Sequence, residues 1–340
     1  GRRARIFGPH ECRSRFSEGT VQQAPRSVDG SIDAPVFFVL TSRAQVLRFE
    51  DVGGVGPIAS ERSVRVRGGT HILAAGPTGH DFLSCTPRGL ARLWPADRGT
   101  TRLSARAMPS YTTFLAVPRD SEDFVSAGHA GEWRRVRLPA FGPGVPGVSR
   151  ERVTFRGSAA IGFDRDARLY AAVDATGAWS VWSETRRLPR FASAGPPEVI
   201  KDVALEGDEA GPLALAMVGS RVRVWRRSEA AVEPVFESFE RGDDARADRA
   251  IKCGFFGAQP GERLAVLVRR GEVLELNHGG DAAGASWSAR PRATLDAEIA
   301  SASFEGTTGV VYAGLSDGRL LRIDLTEDVI EPPELYRFSS

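Results

Sequence analysis

One short pattern occurs seven times along the 340 residues of this chain. Each copy has an apolar run, a tight turn that ends in a small residue, and a large apolar residue five positions later. The pairs of small and large residues are Ala44/Phe49, Gly89/Trp94, Gly131/Val136, Gly177/Trp182, Ser220/Trp225, Gly271/Leu276 and Gly318/Ile323. The large residues follow one another at intervals of 45, 42, 46, 43, 51 and 47 positions. This period is too long for most helical or leucine-rich repeats.

Such a period is typical of four-stranded antiparallel sheets that are arranged as propeller blades. We therefore predict an all-β, seven-bladed β-propeller over residues 36–325, preceded by an N-terminal segment, 1–35, and followed by a C-terminal tail, 326–340. No fourth strand is evident after Leu325, so the segment from Arg5 to Gln22 is predicted to supply a ring-closing strand that pairs the chain termini. Residues 23–35, rich in Pro, Gly, Ser and Asp, are predicted to be a loop.

The strands within a unit differ in pattern. Second strands are short apolar runs, such as LALAMV from Leu213, which predicts burial on both faces. Third strands alternate, as in Glu272 to Leu276, which predicts polar side chains in solvent. First strands contain small residues such as Gly162 and Gly254, which predicts close packing between neighbouring units.

The six tryptophans fall into two groups by their place in the repeat. Three occupy the large apolar position and are predicted to pack in the core: Trp94, Trp182 and Trp225. Three lie outside that register and are candidates for exposed contacts, with half-buried strand positions as the alternative: Trp133, Trp179 and Trp287.

The ends of several units resemble the end of a WD repeat. The segments TGAWSVW at Trp182, GSRVRVW at Trp225 and SDGRLLRID at Asp324 carry this resemblance, which covers residues 36–325 in seven units. It implies a propeller that holds other macromolecules together without catalysis. It also implies a buried network of Asp, His, Ser or Thr, and Trp within each blade, although no unit of this chain contains all four members.

Composition restricts the class of protein further. The longest apolar stretches are too short to cross a bilayer, and no membrane insertion is expected. The three cysteines, Cys12, Cys85 and Cys253, are far apart and form no C-x-x-C pair, which favours free thiols in a reducing intracellular compartment. Cytoplasm or nucleus is favoured, with an organelle as the alternative.

The basic residues are almost all arginine, 43 of 45, while the formal net charge is only +2. Arginine binds carboxylate and phosphate groups through a planar fork. The turns between second and third strands place these side chains at one end of the predicted ring: Arg43, Arg88, His129, Arg221, Arg269 and Arg270. We predict a positive rim there that binds an acidic peptide or a phosphate-bearing partner; the open alternative is that arginine is simply abundant in polar turns.

The N-terminal segment is locally basic. Its arginines have Glu11 as the one acidic neighbour, and they are Arg2, Arg3, Arg5, Arg13 and Arg15. They are candidate RNA or partner contacts within a ribonucleoprotein. The alternatives are a ring-closing strand and the remainder of a targeting sequence.

No pattern in the sequence predicts catalysis, a cofactor or a metal site. The five histidines have no metal-ligand spacing, and Asp164 with Asp166 forms only a fragment of a calcium loop. We therefore predict a non-enzymatic scaffold for protein–protein interactions, a subunit of a stable hetero-oligomeric complex. A metal-dependent hydrolase built on a propeller is the alternative enzyme class.

Overall fold

The fold is known from a computed structural model that describes part of the chain. The described residues are 36–40, 45–51, 57–59, 64–66, 72–75, 81–86, 88–95, 103–106, 112–116, 123–128, 132–137, 153–154, 158–164, 169–174, 178–182, 187–191, 200–208, 210–219, 222–227, 232–237, 250–257, 259, 261–278, 287–305, 309–326 and 334–337. Within these ranges there are 28 β-strands and no helix. The predicted all-β class is confirmed.

The strands form seven four-stranded antiparallel sheets, numbered 1 to 7 in chain order. Sheet 1 contains β1 (Val36–Leu40), β2 (Gln45–Asp51), β3 (Pro57–Ala59) and β4 (Val64–Arg65); sheet 2 contains β5 (Ile72–Ala75), β6 (Asp81–Cys85), β7 (Leu90–Pro95) and β8 (Leu103–Arg106). Sheet 3 contains β9 (Thr112–Ala116), β10 (Asp123–Gly128), β11 (Glu132–Arg137) and β12 (Val153–Thr154); sheet 4 contains β13 (Ser158–Asp164), β14 (Leu169–Asp174), β15 (Trp179–Trp182) and β16 (Arg187–Phe191).

The last three sheets follow the same order. Sheet 5 contains β17 (Asp202–Asp208), β18 (Gly211–Val218), β19 (Val222–Arg227) and β20 (Val232–Glu237); sheet 6 contains β21 (Ala250–Phe256), β22 (Arg263–Val268), β23 (Glu272–His278) and β24 (Trp287–Thr294). Sheet 7 contains β25 (Ile299–Glu305), β26 (Val310–Leu315), β27 (Arg319–Asp324) and β28 (Glu334–Arg337). In sheets 2 to 7 each strand pairs with the next along the chain, whereas in sheet 1 both β3 and β4 pair with β2.

The turns between second and third strands explain why the repeat contains a small residue. The amide of Gly89 donates to the Thr86 carbonyl at 2.9 Å, that of Gly271 to Val268 at 3.0 Å and that of Gly318 to Leu315 at 3.1 Å. These glycines have φ angles of 76°, 99° and 92°, in the left-handed region where a side chain is strained. The turn then returns the chain antiparallel, and residues such as Leu276, opposite Leu264, enter the core.

Apolar cores lie between consecutive sheets. One cluster joins sheets 1 and 2, another sheets 4 and 5, a third sheets 5 and 6, and a fourth sheets 6 and 7. The second strands β6 and β26 are buried along their whole length, as predicted. Second strand β18 is covered on both faces, because one apolar cluster joins it to sheet 4 and another joins it to sheet 6.

The small residues of the first strands are required by close approach. First strands of consecutive sheets contact each other, as β13 contacts β17 and β21 contacts β25. A Cβ at Gly162 would lie 2.7 Å from Val203 Cγ1, and one at Gly254 would lie 2.5 Å from Phe304 Cγ. The steric interpretation of these glycines is confirmed.

Three expectations are corrected. The last unit does have its own fourth strand, because β28 in the predicted tail pairs with β27. The sequence does not reveal it because eight residues, among them Pro332 and Pro333 directly before β28, separate it from Leu325. The premise for a donor strand there is therefore wrong, and the segment from Arg5 to Gln22 itself lies outside the described residues.

The second correction concerns the polar residues of third strands, which do not all reach solvent. Glu275 is 0% and Arg223 3% exposed, because a neighbouring sheet covers that face.

The third correction concerns a tryptophan. Trp179, a candidate for exposed contacts, is 1% exposed and packs edge-on against Trp225, with ring centroids 5.9 Å apart. It contributes to the core between sheets 4 and 5. Trp94 and Trp225 are buried, as predicted. The side chains of Trp133, Trp182 and Trp287 lie outside the described part of the molecule.

Candidate functional site

Three of the predicted rim residues lie in described turns. Arg88 is exposed in the turn between β6 and β7, Arg270 is exposed between β22 and β23, and the neighbouring Arg269 is half-buried. These turns lie at the same end of their sheets because each connects a second strand to a third. Arg43, His129 and Arg221 lie outside the described residues, as do Arg2, Arg3, Arg5, Arg13 and Arg15.

The backbone that presents Arg270 is held from both sides. The Leu295 amide donates to the Gly271 carbonyl and the Ile299 amide to the Arg269 carbonyl, each at 2.9 Å. A Cβ at Gly271 would lie 2.7 Å from the Leu295 carbonyl oxygen, so the turn packs directly against the chain that enters sheet 7. The turn therefore presents Arg270 from a fixed backbone, which lowers the entropy lost on binding.

The charge at this end is mixed rather than uniformly positive. In sheet 7 the equivalent turn carries Asp317, whose carboxylate accepts the Arg319 guanidinium at 2.7 Å, and Asp296 accepts the same guanidinium. The hydrogen bond to Asp296, followed by that to Asp317, raises the pKa of Arg319. Arg319 is thus paired with two carboxylates and half-buried, whereas Arg88 and Arg270 are exposed residues of their turns.

Carboxylates occupy the opposite end of the sheets, where first strands lead into second strands. Asp164 in sheet 4 accepts the Gly207 amide of sheet 5 at 2.7 Å, and Glu206 in sheet 5 accepts the Gly261 amide of sheet 6 at 2.6 Å. A Cβ at Gly261 would lie 2.6 Å from the Ala214 Cβ. Each acid therefore fastens one sheet to the next through a backbone amide that only a glycine brings close enough.

The charge state of Glu206 is unusual. Burial raises its pKa to about 7, the Gly261 amide opposes this rise, and the nearby charge of Asp164 adds to it. Two residues further along the strand, Asp208 behaves oppositely: its hydrogen bond from Arg227 holds its pKa below the usual value.

Glu275 forms a second charged cluster, between strands of sheet 6. Its carboxylate, 0% exposed, accepts the Arg263 Nε at 2.6 Å and the Arg292 Nε, with the Arg290 Nε at 3.8 Å. Burial raises the pKa of Glu275, but the hydrogen bonds from Arg263 and Arg292 outweigh it, and the net pKa is lowered. Arg263 also lies 4.4 Å above the Phe256 ring and donates to the Leu325 carbonyl at 3.3 Å, which joins sheet 6 to the end of β27.

These inter-sheet acids were not predicted from sequence. In the sequence Asp164 belongs only to a fragment of a calcium loop, but in the structure it is the last residue of β13 and binds the next sheet. Asp202, 7% exposed, binds the Cys253 amide of sheet 6 at 2.9 Å in the same manner. The sequence offers a signal only for Asp164, an acidic residue that follows the small and aromatic residues of β13, since Asp202 begins β17 and Glu206 lies within it.

Nothing in the described ranges forms a group of three or more His, Cys, Asp or Glu side chains placed to hold a metal ion. Among those same residues no helix has the length and apolar character needed to span a membrane. A comparison with known protein families and with characterised proteins finds no match for the chain.

Proposed function

We propose that the seven sheets are the blades of a closed β-propeller related to the WD repeat, and that the chain is a non-catalytic scaffold for other proteins. The observation that carries the proposal is the serial arrangement of seven sheets with equal strand number, whose first strands contact those of neighbouring sheets. Radial packing of blades around an axis brings first strands together in this way. A propeller has large, rigid end surfaces that suit the assembly of several partners.

A hydrogen bond in sheet 2 supports the relation to WD repeats. The Trp94 Nε1 donates to the Ser84 hydroxyl at 2.8 Å, with both residues buried. In that family a buried network joins a third-strand Trp to a second-strand Ser or Thr. Trp225 of sheet 5 lacks this partner because Met217 occupies the corresponding second-strand position. Sheet 5 therefore depends on apolar packing at this position, so that its repeat lacks one of the features by which a WD repeat is recognised.

The partner that fits best is an acidic or phosphate-bearing protein segment bound at the end that carries Arg88 and Arg270. Both arginines are exposed in described turns, and a guanidinium group can form two parallel hydrogen bonds with a carboxylate or phosphate group. Asp317, in the equivalent turn of sheet 7, would repel such a segment there. We therefore propose that the segment contacts the turns of sheets 2 and 6 that carry Arg88 and Arg270.

The test uses the full chain with four rim arginines replaced by serine: Arg43, Arg88, Arg221 and Arg270. A matched control replaces four N-terminal arginines, Arg2, Arg3, Arg13 and Arg15, and so removes the same charge elsewhere. Binding is measured by titration with a polyglutamate peptide and a phosphoserine-rich peptide, and by quantifying proteins that co-purify with the native molecule. We expect the rim variant to lose about tenfold or more in affinity, and the control to bind normally.

Two results would overturn parts of this proposal separately. Equal binding by the rim variant and the wild type, with the fold intact, would remove the rim. A wild-type protein that stays monomeric in its native extract and co-purifies with no other protein would remove the scaffold function. Loss of binding in the N-terminal variant alone would assign the contact to residues 1–35.

A further inference from the structure

Two consecutive residues near the end of β17 join three sheets. Glu206 accepts the Gly261 amide of sheet 6 at 2.6 Å, and the next residue, Gly207, donates its own amide to the Asp164 carboxylate of sheet 4 at 2.7 Å. The pairing of β17 with β18 also shifts register between these two residues. Such an irregularity re-aims the groups of a strand, and here one contact is directed to each neighbouring sheet. A displacement of Glu206 and Gly207 therefore acts on both junctions of sheet 5.

The sheets approach closely at both contacts. A Cβ at Gly261 would lie 2.6 Å from the Cβ of Ala214 in sheet 5, and a Cβ at Gly207 would overlap the side chain of Leu169 in sheet 4. Little space is therefore left for water between the sheets while the two hydrogen bonds are made. A carboxylate that loses water without gaining a cation is strongly disfavoured. Full hydration of an ionised Glu206 thus requires the junction to open.

Charged groups of three sheets lie on the elements around Glu206. They are Asp164 on β13, Asp208 on β17, Arg226 and Arg227 on β19, and Glu262 and Arg263 where β22 begins. Arg227 and Arg263 already bind carboxylates of their own sheets, and in the described part of the chain no basic side chain forms an ion pair with Glu206. Burial, opposed by the Gly261 amide and reinforced by the charge of Asp164, raises the pKa of Glu206 to about 7. The closed junction therefore favours the protonated form of Glu206.

We propose that Glu206 is a proton-controlled clasp: its protonated form holds sheet 5 against sheets 4 and 6, and loss of the proton to solvent loosens both junctions together. The neutral carboxyl group accepts the Gly261 amide through its carbonyl oxygen and does not repel Asp164. The carboxylate repels Asp164, which is itself the acceptor of the Gly207 amide. Both the repulsion and the lost hydration are relieved when residues 206–207 move towards water. This movement breaks both hydrogen bonds, whichever partner the molecule binds.

Amide hydrogen exchange of the full chain at pH 5.5 and pH 8, normalised to the rates of an unstructured chain, tests the clasp. We expect protection of the Gly207 and Gly261 amides to fall on the order of tenfold or more at the higher pH, because the open form then gains an ionised, hydrated carboxylate. The Cys253 amide is the control, since it binds Asp202 between the same sheets 5 and 6 but at the other end of β17, and its protection should change less. Unchanged protection of Gly207 and Gly261, a fall at Gly261 alone, or an equal fall at Cys253 would overturn the proposal.

Three substitutions identify the group that controls the junctions. Glu206→Gln keeps an oxygen that can accept the Gly261 amide but cannot ionise, so protection of both glycine amides should no longer depend on pH. Asp164→Asn keeps an acceptor for Gly207 and removes the repulsion, so the fall between pH 5.5 and pH 8 should be smaller. Asp208→Asn is the matched control, because it removes a carboxylate that is paired with an arginine, and its response should equal that of the wild type. A full pH response in Glu206→Gln, or its loss in Asp208→Asn, would contradict a clasp at Glu206.

Discussion

Glu275 and Glu206 are two shielded glutamates in neighbouring sheets, and their pKa values are shifted in opposite directions. Glu275 is fully buried but has arginines within hydrogen-bonding distance, so its pKa is lowered. Glu206 is less deeply buried, but its partner is a neutral amide and its charged neighbour is Asp164, so its pKa is raised to about 7. Partner chemistry, rather than depth of burial alone, determines whether a carboxyl group within these sheets is ionised.

The largest expected effect comes from removing a partner of Glu275. Arg263→Met leaves a buried carboxylate with one strong partner and also removes the contacts with Phe256 and Leu325. We expect the free energy of unfolding to fall by about 3–5 kcal/mol, measured by urea denaturation. Adding Glu275→Met should recover much of this loss, because no unpaired charge remains.

Arg290→Met is the control for that substitution. Its guanidinium lies 3.8 Å from the same carboxylate, but its side chain is 51% exposed. Solvent screens such a pair, so the expected loss is at most about 1 kcal/mol. Equal losses for Arg263→Met and Arg290→Met would show that Glu275 does not depend on its buried partner.

The next effect concerns the pH dependence that Glu206 produces. Its pKa rises from 4.5 to about 7 in the folded chain, so the folded state binds the proton more tightly than the unfolded state. Its contribution is fully favourable below pH 4.5 and is lost as pH rises to about 7, amounting to up to about 3 kcal/mol. Glu206→Gln should abolish this slope and stabilise the protein at pH 8.

Thermal unfolding between pH 5 and pH 8 measures the difference between wild type and Glu206→Gln. Gln keeps an oxygen that can accept the Gly261 amide, so the junction between sheets 5 and 6 is preserved. Parallel pH profiles for the two proteins would mean that the Glu206 carboxyl is already ionised throughout the range. The pKa of Glu206 would then not be raised, and the two glutamates would no longer have opposite pKa shifts.

The first strands of sheets 6 and 7 are held together by an apolar contact, that of Gly254 with Phe304, rather than by charged groups. Gly254→Ala would place a methyl group 2.5 Å from the Phe304 ring carbon, so the two strands must separate. Overpacking of this kind lowers stability by about 1–3 kcal/mol, measured by urea denaturation. Ala289→Val, which adds volume on the exposed outer strand of sheet 6, should cost little; a similar cost for both would contradict close packing of the first strands.

The sequence predicted the strands well because the physical cause of each pattern is local. The left-handed glycines of the described turns, Gly89, Gly271 and Gly318, and the buried residues five positions later, such as Leu276, are set by turn geometry and strand register. Gly162 and Gly254 were correctly assigned to close packing because small residues recur in first strands.

The interactions between sheets were not predictable because they join residues far apart in sequence. Asp202 meets the Cys253 amide 51 positions later, and Glu206 meets Gly261 55 positions later. Burial of Glu275 was missed for the same reason: alternation along β23 identifies two faces, but not that a neighbouring sheet covers the second one. The predicted rim depends on the same kind of relation, since it requires turns of separate sheets to converge.

The smallest expected effect is at Asp208, which sharpens the contrast within a single strand. Asp208 lies two residues after Glu206, and its bond from Arg227 lowers its pKa, so its contribution is present above pH 3.8 and is lost as pH falls further. This slope is opposite in sign to that of Glu206. The Asp208 side chain is 42% exposed, so Asp208→Asn should cost about 0.5 kcal/mol or less at pH 7. Below pH 4 the free energy of unfolding of Asp208→Asn should depend slightly less on pH than that of the wild type. Above pH 5 the slope that Glu206 produces should stay unchanged. A change in that upper slope would show that the two carboxyl groups titrate as one unit.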